Sequence, residues 1–433
     1  MSNQSRREFI QTAALTGAGL LAVETSYAQS KSPNEKVNFA CIGVGGKGDS
    51  DSRDAGRLGN VVAICDVDDN TLNYIGERRF PMAKRYNDYR KMLDEMGKEI
   101  DAVTVSTPDH THAPAAMMAM GMGKHAFCQK PLAHSIYEAR AMGALAKKMK
   151  VMTQMGNQGT GNNDMRHNAY RVRAGVLGVV KDVYVWTNRP IWPQGQKRKD
   201  PKPVPEKLHW DLWLGTAPVR PYADGYHTFA WRGWWDFGTG ALGDMACHTV
   251  NLPYMALDLK YPISVIAEST ENNKDSYPSA SKIVFEFPAT KTRGPVTLHW
   301  YDGNNLPPSE LLPGTKFENS GSLIVGDKGK LYTPGDYGDG GKFIDCEPKD
   351  VDYPHSPGHF EELIRAIKEG VPATSNFPNY SGPLTETILL GNLAVWAGGK
   401  KVEWDAKNLK VNGDKSLSTE LAKIVKPTYR TGF

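Results

Sequence analysis

Val37-Asn38-Phe39-Ala40-Cys41-Ile42-Gly43-Val44-Gly45-Gly46-Lys47-Gly48 is the stretch that decides the fold. A short, almost wholly apolar run reads as a strand buried on both faces, and it feeds straight into a G-x-G-x-x-G turn. Gly43 allows the tight turn, and Gly45, with Gly46 beside it, lets the backbone approach a pyrophosphate. Gly48 permits close packing of helix on strand. A pyrophosphate would then rest on the amides that open the following helix. The next strand-like run, Asn60–Asp66, ends on an acid placed to bond the hydroxyls of an adenosine ribose. A carboxylate there repels a 2′-phosphate, so the cofactor expected is NAD rather than NADP.

Outward from that unit, short apolar runs alternate with helical stretches. Ile100–Thr107, His125–Cys128 and Val151–Met155 read as further strands. Helices are expected near 69–80, 88–97, 112–122 and 135–149, the last opened by the capping-box pattern Ser135-Ile136-Tyr137-Glu138. Uniformly apolar strands separated by helices imply a parallel sheet covered on both faces, an α/β Rossmann domain over 36–157. Beyond it the texture changes. A helix near 163–174 and a strand-like run at Val179–Thr187 precede a Pro- and Trp-rich stretch from Arg189 to Trp235. The runs Ile263–Ser269, Lys282–Phe287, Val296–Tyr301 and Ser322–Val325, with turn signals between them, predict an α+β domain over 158–433 on a large, mostly antiparallel open sheet. Helices near 358–369 and 384–397 are expected to close it.

Two further loops stand at strand ends, where ligands of parallel sheets bind. Ser106-Thr107-Pro108-Asp109-His110-Thr111-His112 follows the third strand of the first domain. Its histidines could be a metal pair, but no third ligand is near, so the expectation is no metal. Thr107, Pro108 and His112 are taken as lining the cofactor. Cys128-Gln129-Lys130-Pro131 follows the next strand, where Lys130 can set a fixed charge beside the nicotinamide ribose and a substrate hydroxyl.

The composition limits the alternatives. The chain has 433 residues, 40% hydrophobic and 23% charged, with a net charge of +4 and no basic stripe interleaved with aromatics. Nucleic acid is therefore a poor partner. Five cysteines, at 41, 65, 128, 247 and 346, are odd in number and widely spaced, which suggests neither a disulfide framework nor a zinc site. At the start, Ser5-Arg6-Arg7-Glu8-Phe9-Ile10 precedes a weakly apolar stretch, Ala13 to Val23, too short and polar to span a bilayer. Ser26 and Ala28 fit a cleavage point, so 1–28 resembles a signal peptide of the twin-arginine (Tat) route, which exports folded proteins. The expected location is the periplasm or otherwise outside the cytoplasm, with no membrane contact beyond export.

Taken in order, the glycine turn, Asp66, the Ser-Thr-Pro-Asp loop and Lys130-Pro131, followed by a sheet domain, resemble the Gfo/Idh/MocA oxidoreductases over about residues 36–400. That family's Glu-Lys-Pro motif falls on Gln129-Lys130-Pro131, so Gln129 departs from it by lacking the charge. Gly240-Ala241-Leu242-Gly243-Asp244-Met245-Ala246-Cys247-His248 fits the family's Asp and His one helical turn apart. The resemblance implies that Lys130, Asp244 and His248 meet at the substrate. His248 would be the general base, Lys130 would polarise the alcohol or nascent carbonyl, and Asp244 would orient substrate or His248. It also places Gln129 and Asn157 on the nicotinamide side and implies pairing of subunits through the open sheet face, as a homodimer or homotetramer.

Arg166 and His167 are candidate substrate contacts. Trp231, Arg232 and Trp235 have two readings, stacking and bonding a sugar, or packing between domains. The expected activity is NAD(H)-dependent oxidation of a secondary hydroxyl on a sugar, glycoside or polyol, with a tightly held, recycled cofactor, since an exported enzyme has no free NAD pool. The alternatives are a redox-neutral glycosidase working by transient oxidation and elimination, and a non-catalytic sugar- or cofactor-binding homologue.

Overall fold

The computed structural model describes residues 36–432. The signal-like segment lies outside them.

In chain order, the first region comprises β1 (Asn38–Ile42), α1 (Lys47–Leu58), β2 (Asn60–Cys65), α2 (Asp69–Arg78), β3 (Lys84–Tyr86), α3 (Tyr89–Met96), β4 (Ala102–Val105), α4 (His112–Gly121), β5 (His125–Cys128), α5 (Ile136–Met149) and β6 (Thr153–Met155). The six strands form one parallel sheet in the order β3-β2-β1-β4-β5-β6. The order reverses between β1 and β4, and the carboxyl ends of these strands open the ligand crevice. Ser135 and Glu138 form the expected reciprocal cap of α5. The helix after the glycine turn, α1, buries Gly48, Asp51, Ser52 and Ala55 rather than an aliphatic stripe. β3 was not expected, because Lys84-Arg85-Tyr86 is polar and forms a sheet edge.

The second region comprises α6 (Asn163–Arg173), β7 (Val180–Trp186), α7 (Trp210–Leu214), α8 (Gly240–Thr249), α9 (Asn251–Leu257), β8 (Ser264–Ser269), β9 (Ser281–Phe287), β10 (Val296–Tyr301), β11 (Gly321–Gly326), β12 (Lys330–Pro334), β13 (Lys342–Ile344), α10 (His359–Glu369), α11 (Gly382–Trp396), β14 (Val402–Asp405), β15 (Lys410–Asn412) and α12 (Lys415–Val425). Its nine-stranded sheet runs β13-β12-β11-β7-β10-β9-β8-β14-β15. Only β7 and β10 pair in parallel. Two helices do not close this domain as expected. After α11 the chain adds the hairpin β14–β15 and α12, whose short, charged strands carried little alternation to read.

One face of the second sheet turns Val296, Leu298, Trp300, Ile283 and Phe285 into a core shared with α11, which is buried along nearly its whole length. The other face alternates polar and apolar residues that stay partly open, including Tyr184 stacked on His299, Val284 and Ile266. The first sheet's β4 and β5 belong to the same continuous core, so the two sheets hold a fixed relation. Residues 188–237 form a smaller aromatic cluster of their own, with Trp210, Trp213, Tyr226, Trp231, Trp234 and Phe237. This strap docks back on the first region. The Lys207 carbonyl accepts from the Asp69 amide, the His209 amide donates to Val67, and His110 meets the carbonyls of Trp213 and Phe237. Among the described residues, no helix is long and apolar enough to cross a membrane. All five cysteines are free, and all but Cys346 are buried.

Candidate active site

The glycine turn is shaped for a close-lying ligand. Gly43 has φ +75°, and a Cβ there would lie 2.8 Å from the Ser106 carbonyl oxygen. At Gly48 a Cβ would lie 1.9 Å from the Gly43 carbonyl oxygen, so helix and turn can meet only through glycine. Gly45 faces Thr71 and Asp66, while nothing crowds Gly46. No side chain caps α1; the Gly48 and Asp49 amides close back on the carbonyls of Gly45 and Gly46, so the turn itself forms the helix start. Such an end suits an anion.

Asp66 closes the β2 side of this cradle. Its two oxygens accept from the Val44 amide (2.9 Å) and the Asp68 amide (3.0 Å). Loss of water around the carboxyl raises its pKa above the ordinary carboxylate value, and those amides only partly offset it. Across the crevice, Thr107 Oγ1 and Asn157 Nδ2 are buried without a partner among the described residues. Orphaned polar atoms of this kind await a ligand. Asn157 is held by its other end, where Oδ1 accepts from Ser375. The cradle, the acid and the orphaned donors together fit NAD.

His112 corrects its expectation. Its Nδ1 lies 2.8 Å from the Pro131 carbonyl and its Nε2 2.8 Å from the Thr107 carbonyl. The ring is buried and ties the Thr107-Pro108 loop to the Lys130-Pro131 loop instead of facing the cofactor. Burial lowers its pKa, although two carbonyl acceptors favour the proton. His110 is likewise buried between the carbonyls of Trp213 and Phe237, with burial bringing its pKa down to about 4.

The loop after β5, the strap, α8 and the segment bearing Tyr337 converge. Lys130 Nζ donates to Asp244 Oδ1 (2.7 Å) and to the Asp244 carbonyl (2.8 Å). Arg232 Nε reaches the same Oδ1 at 3.2 Å, and Nη1 lies 3.5 Å from Asp109, which also accepts from Thr239 (2.6 Å). Burial alone would raise the pKa of Asp244; Lys130 and Arg232 overcome it and hold the carboxyl well below the usual range. His248, one turn further along the buried α8, keeps Nδ1 free of any partner among the described residues. Burial first, and then Lys130, push its pKa well below 6.5, so its imidazole is neutral. The Tyr337 ring stands edge-on to it, 5.0 Å away between centroids.

The other expected contacts divide. Arg166 is not a substrate group. Its guanidinium is 2% exposed and spent on Glu362, Thr160 and Pro354, a buried pair that stitches α6 to α10. His167 sits nearer the rim, 2.9 Å from Asp350 and stacked on Tyr353. Trp235 resolves to packing, held between Tyr277 and Trp396. Trp231 is also buried and offers its face to the Arg232 guanidinium at 4.3 Å. Sequence reasoning missed Asp51 and Tyr337, because residues remote along the chain give a single sequence no signal of contact.

Comparison with known proteins gives the family. The Gfo/Idh/MocA model described as "Oxidoreductase family, NAD-binding Rossmann fold" matches residues 37–157, and the family's "C-terminal alpha/beta domain" model matches 172–431. Among curated proteins, a "Glycosyl hydrolase family 109 protein" of Shewanella pealeana is 28% identical over 202 residues, covering 40% of this chain and 44% of that protein. One of Shewanella baltica is 31% identical over 207 residues, covering 41% and 44%. The chain thus matches less than half the length of these relatives. Among solved structures, the WlbA dehydrogenase of Bordetella pertussis, in complex with NADH and UDP-GlcNAcA, has a TM-score of 0.61 at 16% identity, covering 86% of this chain and 99% of that one. An aldose-aldose oxidoreductase of Caulobacter crescentus complexed with glycerol gives 0.58 at 17%, covering 86% and 100%. At these identities the structures show the shared fold.

Proposed function

For this chain, a member of the Gfo/Idh/MocA oxidoreductase family with an NAD-binding Rossmann domain, we propose reversible oxidation of a secondary hydroxyl on a sugar, glycoside or polyol. The observation that carries this reading is the meeting of Lys130, Asp244 and Arg232 beside a neutral His248 at the nicotinamide end. NAD, when bound, supplies the hydride acceptor. His248 takes the hydroxyl proton on a ring nitrogen, a task that needs a neutral imidazole. Lys130, pinned by Asp244, donates toward the substrate oxygen and stabilises the charge that grows there. Asp244 acts through Lys130 and Arg232 rather than on the substrate.

The same groups serve a redox-neutral glycosidase. Oxidation of a ring carbon acidifies the neighbouring C–H, the leaving group departs by elimination, water adds, and the ketone is reduced again. The family 109 glycosyl hydrolases among the relatives favour this as the second reading. The chain is further proposed to leave the cytoplasm folded by the Tat route, losing 1–28 and carrying NAD within its two domains, 36–157 and 158–433. The partly open face with Tyr184, His299 and Ile266 is proposed as the homo-oligomer contact.

The test is protein purified from its native export route, with bound nucleotide released by acid and turnover read on free sugars and on aryl glycosides. Stoichiometric NAD(H) whose redox state responds to a free sugar supports the oxidoreductase. Aglycone release without net reduction supports the glycosidase. Retained NAD with no turnover on either panel leaves a binding homologue and sinks both catalytic readings.

A further inference from the structure

Gln129 lacks the charge that the resembled Glu-Lys-Pro motif carries, yet a carboxylate stands beside it. Asp51 is 2% exposed and lies on α1, the helix that follows the glycine turn. Its Oδ2 accepts from Gln129 Nε2 (2.8 Å) and from Ser106 Oγ (2.7 Å), and its Oδ1 accepts from Lys47 Nζ (2.7 Å). A carboxylate offers only acceptors, so it fixes which end of the amide faces it. The Gln129 carbonyl must then point the other way, and it accepts from the Lys130 backbone amide at 3.2 Å. The amide lies flat over Gly156, where a Cβ would stand 2.4 Å from Nε2. The three strand-end loops of the crevice therefore meet at one carboxylate: the glycine turn through Lys47, the β4 loop through Ser106 and the β5 loop through Gln129.

We propose that Asp51 is the positioning residue for Lys130, and that the charge absent at 129 has moved to 51 as one half of an exchangeable acid–amide pair. The proposal rests on the reading of Lys130 as the group at the reacting carbon. It predicts that the two positions tolerate one acid and one amide in either order, but not two acids.

The experiment is a four-protein cycle of wild type, Gln129→Glu, Asp51→Asn and the double variant, read as NAD(H) affinity between pH 5 and pH 8. In Gln129→Glu two carboxylates share one hydrogen bond and must hold a proton between them. Affinity is expected to fall about tenfold near neutrality and to vary with pH more steeply than that of wild type. Asp51→Asn releases Lys47 and frees the amide, with a loss of about three- to tenfold. The double variant is expected to return to within about threefold of wild type, with the pH profile of wild type. If Gln129→Glu proves insoluble, recovery of soluble protein in the double variant is the same rescue. Losses that multiply in the double variant, or a silent Gln129→Glu, overturn the proposal. Nucleotide affinity needs no substrate, so protein that binds NAD but turns over no sugar defeats the proposed function, while the cycle still decides whether positions 51 and 129 form an exchangeable acid–amide pair.

Discussion

Two enclosed carboxylates mark the ends of the crevice, and they are kept by opposite means. Asp66 has two backbone amides and no cation in bonding contact, so loss of water wins and its pKa rises. Asp244 is no less enclosed, yet Lys130 and Arg232 reverse the direction. Burial sets the cost of a charge; the nearest cation decides whether that cost is met. The Asp66 end is thus suited to recognising neutral hydroxyls, and the Asp244 end to holding permanent charge beside a reaction.

The largest effect should come from breaking the charged end. Replacing Lys130 with Met leaves Asp244 buried with one cation, and kcat is expected to fall at least about 10³-fold. Chemical denaturation should show a loss of about 3–5 kcal/mol, the usual penalty for stranding one partner of a buried pair. His248→Ala should lower kcat by roughly 10²- to 10⁴-fold while nucleotide affinity holds, and calorimetric titration with NADH separates the two. Affected binding with intact turnover would move His248 to the cofactor. At the other end, Asp66→Ala removes charge-assisted bonds to ribose. It should weaken NAD roughly 10- to 100-fold and leave kcat at saturating cofactor unchanged.

The contrast also shows through pH. His110 is buried and His125 and His359 are partly so, and loss of water brings their pKa values down to about 4. The unfolded chain binds protons at these sites below about pH 6.5 while the folded chain does not, so stability should fall between pH 6.5 and pH 4. Each imidazole contributes a slope of up to about 1.4 kcal/mol per pH unit. Asp244, held below the usual carboxylate range, keeps its contribution throughout that window and loses it only at lower pH. Asp302, whose pKa burial lifts to about 6, works the other way in this window, so the check is a His110→Gln variant: a pH profile from 6.5 to 4 identical to wild type would contradict the environment of His110.

The same contrast explains what the sequence could tell. The Asp66 end is built within one β-α-β unit, where glycine spacing, an apolar strand and a terminal acid lie close along the chain. The parallel sheet was legible for that reason. The Asp244 end brings together Lys130, Arg232, Asp244, His248 and Tyr337 from segments joined only in space. Lys130, Asp244 and His248 were readable through resemblance, whereas the direction of Arg166 was not, because a buried Glu362 on a distant helix claims it. Residues 402–425 went unseen because their strands are too short to show a period.

The Trp-rich strap also gives the molecule an optical property. Trp210, Trp213, Trp231 and Trp234 cluster on the segment that docks on the loops after β2 and β4, beside the crevice. Indole emits where reduced nicotinamide absorbs, so resonance transfer should dim the protein's own fluorescence when its cofactor carries a hydride and restore it when the hydride leaves. Each turnover would then be visible as a flicker in native emission, without dye or coupled enzyme.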